Sequence, residues 1–154
     1  MPEAGSKAPA FAGVTQDGTK LSLAGLKGQK VALYFYPEDF TPGCTEQACS
    51  LRDGYKMLQD AGVTVVGVSP DGDEKHKEFV AEYKLPFPLL ADPEHKIMTT
   101  YGTWGEKNLY GKMVIGVKRT TFLIDEEGVI QAVIKRPKVK DHAVQILKKF
   151  GLPV

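Results

Sequence analysis

A disulfide framework, a metal-ligand cluster and a membrane span are all missing from this sequence. Only two cysteines, Cys44 and Cys49, occur in 154 residues. Two cannot staple a chain of this length, so a reducing compartment is the default and any pairing between them is chemical rather than architectural. Four residues separate them, too many for the redox motif Cys-x-x-Cys. The three histidines, His76, His95 and His142, are scattered, and no combination with the cysteines matches the usual zinc spacings. No apolar run approaches the ~20 residues that cross a bilayer. The start, MPEAGSKAPA, has neither the basic nor the apolar region of a secretory signal. Charge of one sign is also lacking. The formal net charge is +1, which leaves no field to gather nucleic acid or an anionic membrane. The densest basic group, KRPKVK at 135–140, reads as a solvated loop ahead of a helix. No repeat or low-complexity stretch marks a second domain, and the length suits one.

What is present has α/β periodicity. FAGVTQDGTKLSL (11–23) reads as two short strands around Asp17-Gly18, a favoured hairpin turn. VALYFY (31–36) and VTVVGV (63–68) are continuous apolar runs, expected of strands buried on both faces. Ala48, Leu51, Tyr55 and Leu58 recur at helical spacing, which predicts one amphipathic helix from Thr45 to about Ala61. A second stripe, His76, Phe79, Val80 and Tyr83, predicts another helix, ended near Pro86 and Pro88. PLLAD reads as a short strand or loop, and 93–101 as a short helix with Pro93 in its first turn. The glycine-rich stretch 102–117 is ambiguous. TTFLIDEEGVIQAVI (120–134) predicts a hairpin turning at Gly128, and 140–150 a last helix. The order implies a layered α/β fold around a central mixed sheet, with an N-terminal β-hairpin.

YPEDFTPGCTEQACSLRD (36–53) holds both cysteines. Thr41 is a good N-cap and Pro42 suits the first helical position, so Cys44 falls in the first turn. Free backbone N–H groups and the positive end of the helix dipole lie there, and both favour thiolate over thiol. Gly43 leaves the approach to the sulfur open. The competing reading is a buried structural cysteine. The polar, loop-forming Thr-Pro-Gly argues against it and places Cys44 outside the core. Cys49 is less determined. Five positions along an ideal helix give ~7.5 Å of rise and ~140° of rotation, whereas a disulfide wants Cα atoms within ~7 Å. Either Cys49 is an inert core cysteine, or the helix unwinds for it to reach Cys44.

These residues resemble the active-site segment of peroxiredoxins, in particular the bacterioferritin comigratory protein/peroxiredoxin Q subfamily. Pro37, Thr41 and Cys44 meet the family motif Pro-x-x-x-Thr-x-x-Cys, and Cys49 stands at the subfamily's second cysteine. GSKAPAF, VTVVGVSPD, KLPFPLLAD, YGTWGEK and GVKRTTFLIDEEGVI extend the similarity over nearly the whole chain. The family's arginine corresponds to Arg119. Glu38 and Gln47 depart from common family choices, and Gln47 could alter contacts around Arg119.

The resemblance implies a single thioredoxin-like domain over 1–154 and a thiol peroxidase acting on hydrogen peroxide and small organic hydroperoxides. It implies Cys44 as the peroxidatic cysteine, with Thr41, Arg119 and Pro37 shaping its pocket. It also implies Cys49 as the resolving cysteine in an intramolecular Cys44–Cys49 disulfide, thioredoxin as reductant, and a monomer; the missing signals make the cytoplasm the expected compartment. No metal, haem or flavin is required. Two other classes stay open: a thiol–disulfide exchange protein and a non-enzymatic thioredoxin-like binding module. Trp104 and Tyr110 either wall the pocket entrance or pack in core or loop, the second being favoured. His76 reads as a helix-face residue rather than a base, and Arg52 with Asp53 as an ion pair.

Overall fold

A computed structural model describes residues 1–154. The apolar runs form the middle of the molecule. Strands β3 (Lys30–Phe35) and β4 (Val63–Ser69) pair in parallel, and β5 (Leu89–Ala91) extends the sheet beside β4. On the other side β8 (Thr120–Ile124) runs antiparallel to β3, and β9 (Ile130–Ile134) antiparallel to β8. The five-stranded order is therefore β5-β4-β3-β8-β9. Two small antiparallel pairs lie outside it: the expected N-terminal hairpin, β1 (Ala12–Val14) with β2 (Lys20–Ser22), and β6 (Trp104–Leu109) with β7 (Lys112–Val117). The second resolves the ambiguous glycine-rich stretch.

Successive residues of a strand face opposite sides, and β3 shows the consequence. Ala32 and Tyr34, with Tyr36 just beyond the strand, join a core that includes Cys44, Ala48, Leu58, Phe79 and Leu147, covered by helices α1 (Pro42–Asp53), α2 (Tyr55–Asp60), α3 (Asp73–Tyr83) and α5 (His142–Phe150). Val31, Leu33 and Phe35 join a core with Phe11, Met98, Tyr101 and Phe122, covered by helix α4 (Lys96–Tyr101) and the N-terminal segment. β3 is buried on both faces because both are roofed.

Three expectations change. The helix predicted from Thr45 to Ala61 begins at Pro42 and is broken at Gly54 into α1 and α2. A side chain at Gly54 would put its Cβ 2.4 Å from that of Ala143, so the break lies where α5 passes closely. The helix predicted from Pro93 begins at Lys96. Asp92 accepts the Ile97 and Met98 amides at 3.2 and 2.9 Å, so it holds that end and Pro93 stays in the preceding turn. Tyr110 neither packs nor walls a pocket: it sits at the β6–β7 tip, 98% exposed, while Trp104 stacks on His95 with ring centroids 3.6 Å apart. The KRPKVK segment is the expected exposed loop before α5. Arg52 pairs with Asp53 at 3.0 Å and also ties α1 to the Tyr83 carbonyl at 2.8 Å.

Candidate active site

The site forms where β3 ends and α1 begins. Thr41 is extended at the N-cap position and Pro42 opens the helix. The Thr41 hydroxyl does not cap, however. It donates to the Glu38 carbonyl at 2.9 Å. The amides of Gly43 and Cys44 therefore make no hydrogen bond within the protein, and two donors stay available at the positive end of the helix dipole.

Cys44 is third in the helix, on the side facing the sheet. It is 1% exposed and packs in the core with Tyr34 and Ala48, which overturns the expectation that its polar neighbours keep it out of the core. The loop-forming residues face outward, while the helical rotation turns this one side chain inward. The burial is not purely apolar. Arg119, between β7 and β8, donates from Nη2 to Cys44 Sγ at 3.0 Å and from Nη1 to Gln47 Oε1 at 3.0 Å. A Cβ on Gly43 would lie 3.0 Å from that same Nη2, so the glycine clears a path for the guanidinium. Gln47 is itself buried, and its Nε2 has no partner. The effect of Gln47 on Arg119 raised by the sequence is thus a direct contact. Tyr34, on the same sheet face, has a buried hydroxyl without a partner. Its ionisation is pushed well above the usual tyrosine range, first by burial and then by Asp39 and Cys44.

Cys49 is half-buried on α1 and lines a crevice of about 460 Å³ between α1 and α5, with Glu46, Ser50, Met57 and Val144. Both thiols are free. Pro37 is half-buried at the head of the loop. The structure thus gathers Cys44 and Arg119 in direct contact and sets Thr41 three residues before the sulfur.

Sequence reading missed a second polar cluster beside this loop. Asp39 is buried; its Oδ1 accepts the Tyr36 hydroxyl at 2.5 Å and its Oδ2 lies 2.5 Å from His76 Nδ1. His76 is on the predicted helix stripe, but fully buried. Asp71 accepts the Asp39 amide and the Ser69 hydroxyl, each at 2.7 Å, and Lys75 bridges Asp71 and Glu38 at 3.1 and 2.8 Å. Asp39 and His76 are 37 positions apart, and no local pattern joins them. A buried-pair signal emerges only once α3 is folded over the loop.

A sulfur at a helix N-terminus, faced by a guanidinium on a mixed sheet roofed by helices, defines a thioredoxin-fold thiol peroxidase. The comparisons agree. The model of the AhpC/TSA family matches residues 4–133. The putative peroxiredoxin bcp of Coxiella burnetii is 50% identical over 148 residues, 96% of this chain and 98% of that protein. Peroxiredoxin Bcp of Escherichia coli strain K12 is 44% identical over 140 residues, 91% and 90% of the two chains. A mutant of Xanthomonas campestris peroxiredoxin Q superposes with a TM-score of 0.88 at 32% identity, covering 97% of this chain and 98% of that one. A second structure, of the Xanthomonas campestris bacterioferritin comigratory protein and described in terms of alkyl peroxide reduction, superposes at 0.87 and 31%, covering 97% and 98%. The chain belongs to the AhpC/TSA family and, within it, to the Bcp/peroxiredoxin Q peroxiredoxins.

Proposed function

We propose that Cys44 is the peroxidatic residue of a cycle that reduces hydrogen peroxide and small organic hydroperoxides and is recycled by thioredoxin. The observation that carries this is the Arg119 guanidinium, 3.0 Å from Sγ and steadied on its other arm by Gln47. The guanidinium stands where negative charge passes from the attacking sulfur to the departing oxygen. The thiolate takes the terminal peroxide oxygen: an S–O bond forms, the O–O bond breaks, and the electron pair leaves on the second oxygen as alkoxide or hydroxide. That oxygen then gains a proton, leaving a sulfenic acid on Cys44. Arg119 and the free Gly43 and Cys44 amides stabilise the charge as it moves. The Thr41 hydroxyl already donates to Glu38, so its lone pairs accept from the incoming peroxide. Pro37 walls the pocket. Because Cys44 is covered, entry of peroxide requires the guanidinium to shift from the sulfur it hydrogen-bonds.

Resolution follows by local unwinding. Cys49 lies in an open crevice, with α1 intact between the two thiols. When the first turns open, the Cys49 thiolate attacks Cys44, an S–S bond forms, the S–O bond breaks, and the oxygen leaves as water. Thioredoxin, a dithiol, regenerates both cysteines by exchange. The whole chain acts as one domain, in the cytoplasm, as a monomer, and sulfur carries the redox chemistry without metal, haem or flavin.

The test is peroxide consumption coupled through thioredoxin and its reductase to NADPH, with intact mass of the oxidised protein. Cys44→Ser abolishes turnover. Cys49→Ser still reduces one equivalent of peroxide and then accumulates sulfenic or sulfinic acid instead of disulfide. NADPH oxidation no faster than the protein-free control would return the chain to the disulfide-exchange or binding classes. Equal loss of the first oxidation in both variants would overturn the division of labour.

A further inference from the structure

The buried Asp39–His76 cluster stands immediately before the reacting segment, and the cycle above does not use it. His76 Nε2 faces the Leu90 carbonyl at 3.1 Å. A carbonyl only accepts, so Nε2 carries a hydrogen. Nδ1 faces Asp39 Oδ2 at 2.5 Å. The Tyr36 hydroxyl saturates the other Asp39 oxygen. The Asp39 amide is tied to Asp71, and Glu38 is tied to Lys75. Residues 36–39 are therefore pinned to α3 and to the 69–71 turn by side chain and backbone alike.

The polar ties stop at Asp39. Phe40 has φ +69°, a left-handed conformation that a residue with a Cβ rarely adopts. The residue is 40% exposed, and its ring rests on Phe79 and Tyr83 with centroids 5.1 and 6.2 Å away. Beyond it Thr41 makes no side-chain cap, and the Gly43 and Cys44 amides are free. A firmly held segment thus gives way within two residues to a helix start with few ties. The link across that boundary is the Thr41 hydroxyl on the Glu38 carbonyl.

We propose that Asp39 and His76 are positioning residues of the peroxidase. They hold the Glu38 carbonyl that fixes the Thr41 hydroxyl, three residues before Cys44, and they stop at Phe40 the unwinding that brings Cys49 to Cys44. The inference rests on the Cys44–Cys49 reading given above. The two halves of the cycle need opposite things from this segment. Oxygen transfer needs the loop rigid, since small displacements of aligned groups lower rates steeply. Disulfide formation needs the first turn of α1 to open. A clamp that ends at Asp39 serves the first and confines the second to the residues that must move.

The experiment compares wild type with His76→Ala, Asp39→Ala and the conservative His76→Gln, whose amide can still donate to Asp39. Rapid quench with a thiol-blocking reagent and intact mass separate sulfenate formation from disulfide formation after mixing with hydrogen peroxide. Releasing the clamp slows sulfenate formation by roughly ten- to a hundredfold and speeds disulfide formation, so the share of sulfinic acid at a given sulfenate load falls. His76→Gln restores most of the first rate. A purely structural role would not move the two steps in opposite directions. Should His76→Ala fail to fold, Asp39→Ala carries the same comparison. The proposal is overturned if both steps stay within about twofold of wild type, or if both fall by a common factor. Failure of the wild type itself to lose two hydrogens as a disulfide would instead overturn the Cys49 assignment.

Discussion

Two buried polar centres flank the end of β3, and they differ in how completely their atoms are partnered. Around Asp39 and His76 the carboxylate oxygens, both ring nitrogens and the Ser69 hydroxyl all have partners between 2.5 and 3.4 Å. Around Cys44 the Gln47 amide nitrogen and the hydroxyls of Tyr34 and Thr45 are buried and have none. Buried polar groups without partners are rare and costly. A saturated cluster stiffens the fold. An unsaturated one keeps donors and acceptors in reserve for a molecule that arrives. On the proposed reading the saturated centre supports the loop and the unsaturated one meets the peroxide.

The largest way to break this contrast is Arg119→Met. It removes the guanidinium donors from Cys44 and Gln47 while keeping bulk. The second-order rate with hydrogen peroxide falls about a hundred- to a thousandfold, and the thermal unfolding midpoint drops because the buried Gln47 Oε1 loses its donor. A loss below about tenfold in stopped-flow measurement would mean that oxygen transfer does not depend on this centre.

A third buried centre sharpens the contrast through pH. Lys138 donates its amide to Gln145 Oε1 at 2.8 Å, so that oxygen is an acceptor and the His142 Nδ1 beside it, at 2.9 Å, carries the hydrogen. His142 Nε2 then accepts from the Thr121 hydroxyl at 2.9 Å. The neutral ring is saturated, and burial pushes its pKa from 6.5 down to about 4 despite the opposing Gln145 bond. The unfolded chain therefore binds a proton that the folded chain refuses between those two values. Stability is full above pH 6.5 and declines as pH falls towards 4, by roughly 3 kcal/mol in all. Urea unfolding at several pH values reads that slope, and His142→Gln flattens it. An unchanged slope in the variant would assign the acid loss to other groups.

Two conservative substitutions test the contrast directly. Tyr36→Phe takes the hydroxyl from Asp39 and leaves a buried carboxylate oxygen short of its donor, a loss of about 1.5–3 kcal/mol. Tyr34→Phe removes a hydroxyl that has no partner, so stability stays within about 1 kcal/mol or rises. Equal losses in denaturant melts would mean that Tyr34 and Tyr36 are partnered alike, and the distinction between the centres would fall.

Much of this was legible before folding. The apolar runs at 31–36 and 63–68, the hairpins around Gly18 and Gly128, and the stripe along 140–150 depend on side-chain alternation and turn chemistry, which are local. The helix-start position of Cys44 was legible from the Thr-Pro-Gly before it at a strand-to-helix junction. Its role as nucleophile was an expectation weighed against a structural cysteine, to which the family resemblance added Pro37, Thr41 and Arg119. The burial of Cys44 was not legible, because whether a first-turn side chain faces water or sheet depends on how the helix is rotated against its neighbours. The break at Gly54 depends on α5, almost ninety residues further on.

The linear order of residues was enough to determine the α/β class and the helix-start setting of Cys44, since period, capping and composition act over a few neighbours. Only the tertiary structure decided that Arg119 reaches the sulfur, that Gln47 steadies it and that His76 grips Asp39. Each of those contacts joins side chains from elements distant in sequence, and their geometry exists only after the sheet has set the elements against one another.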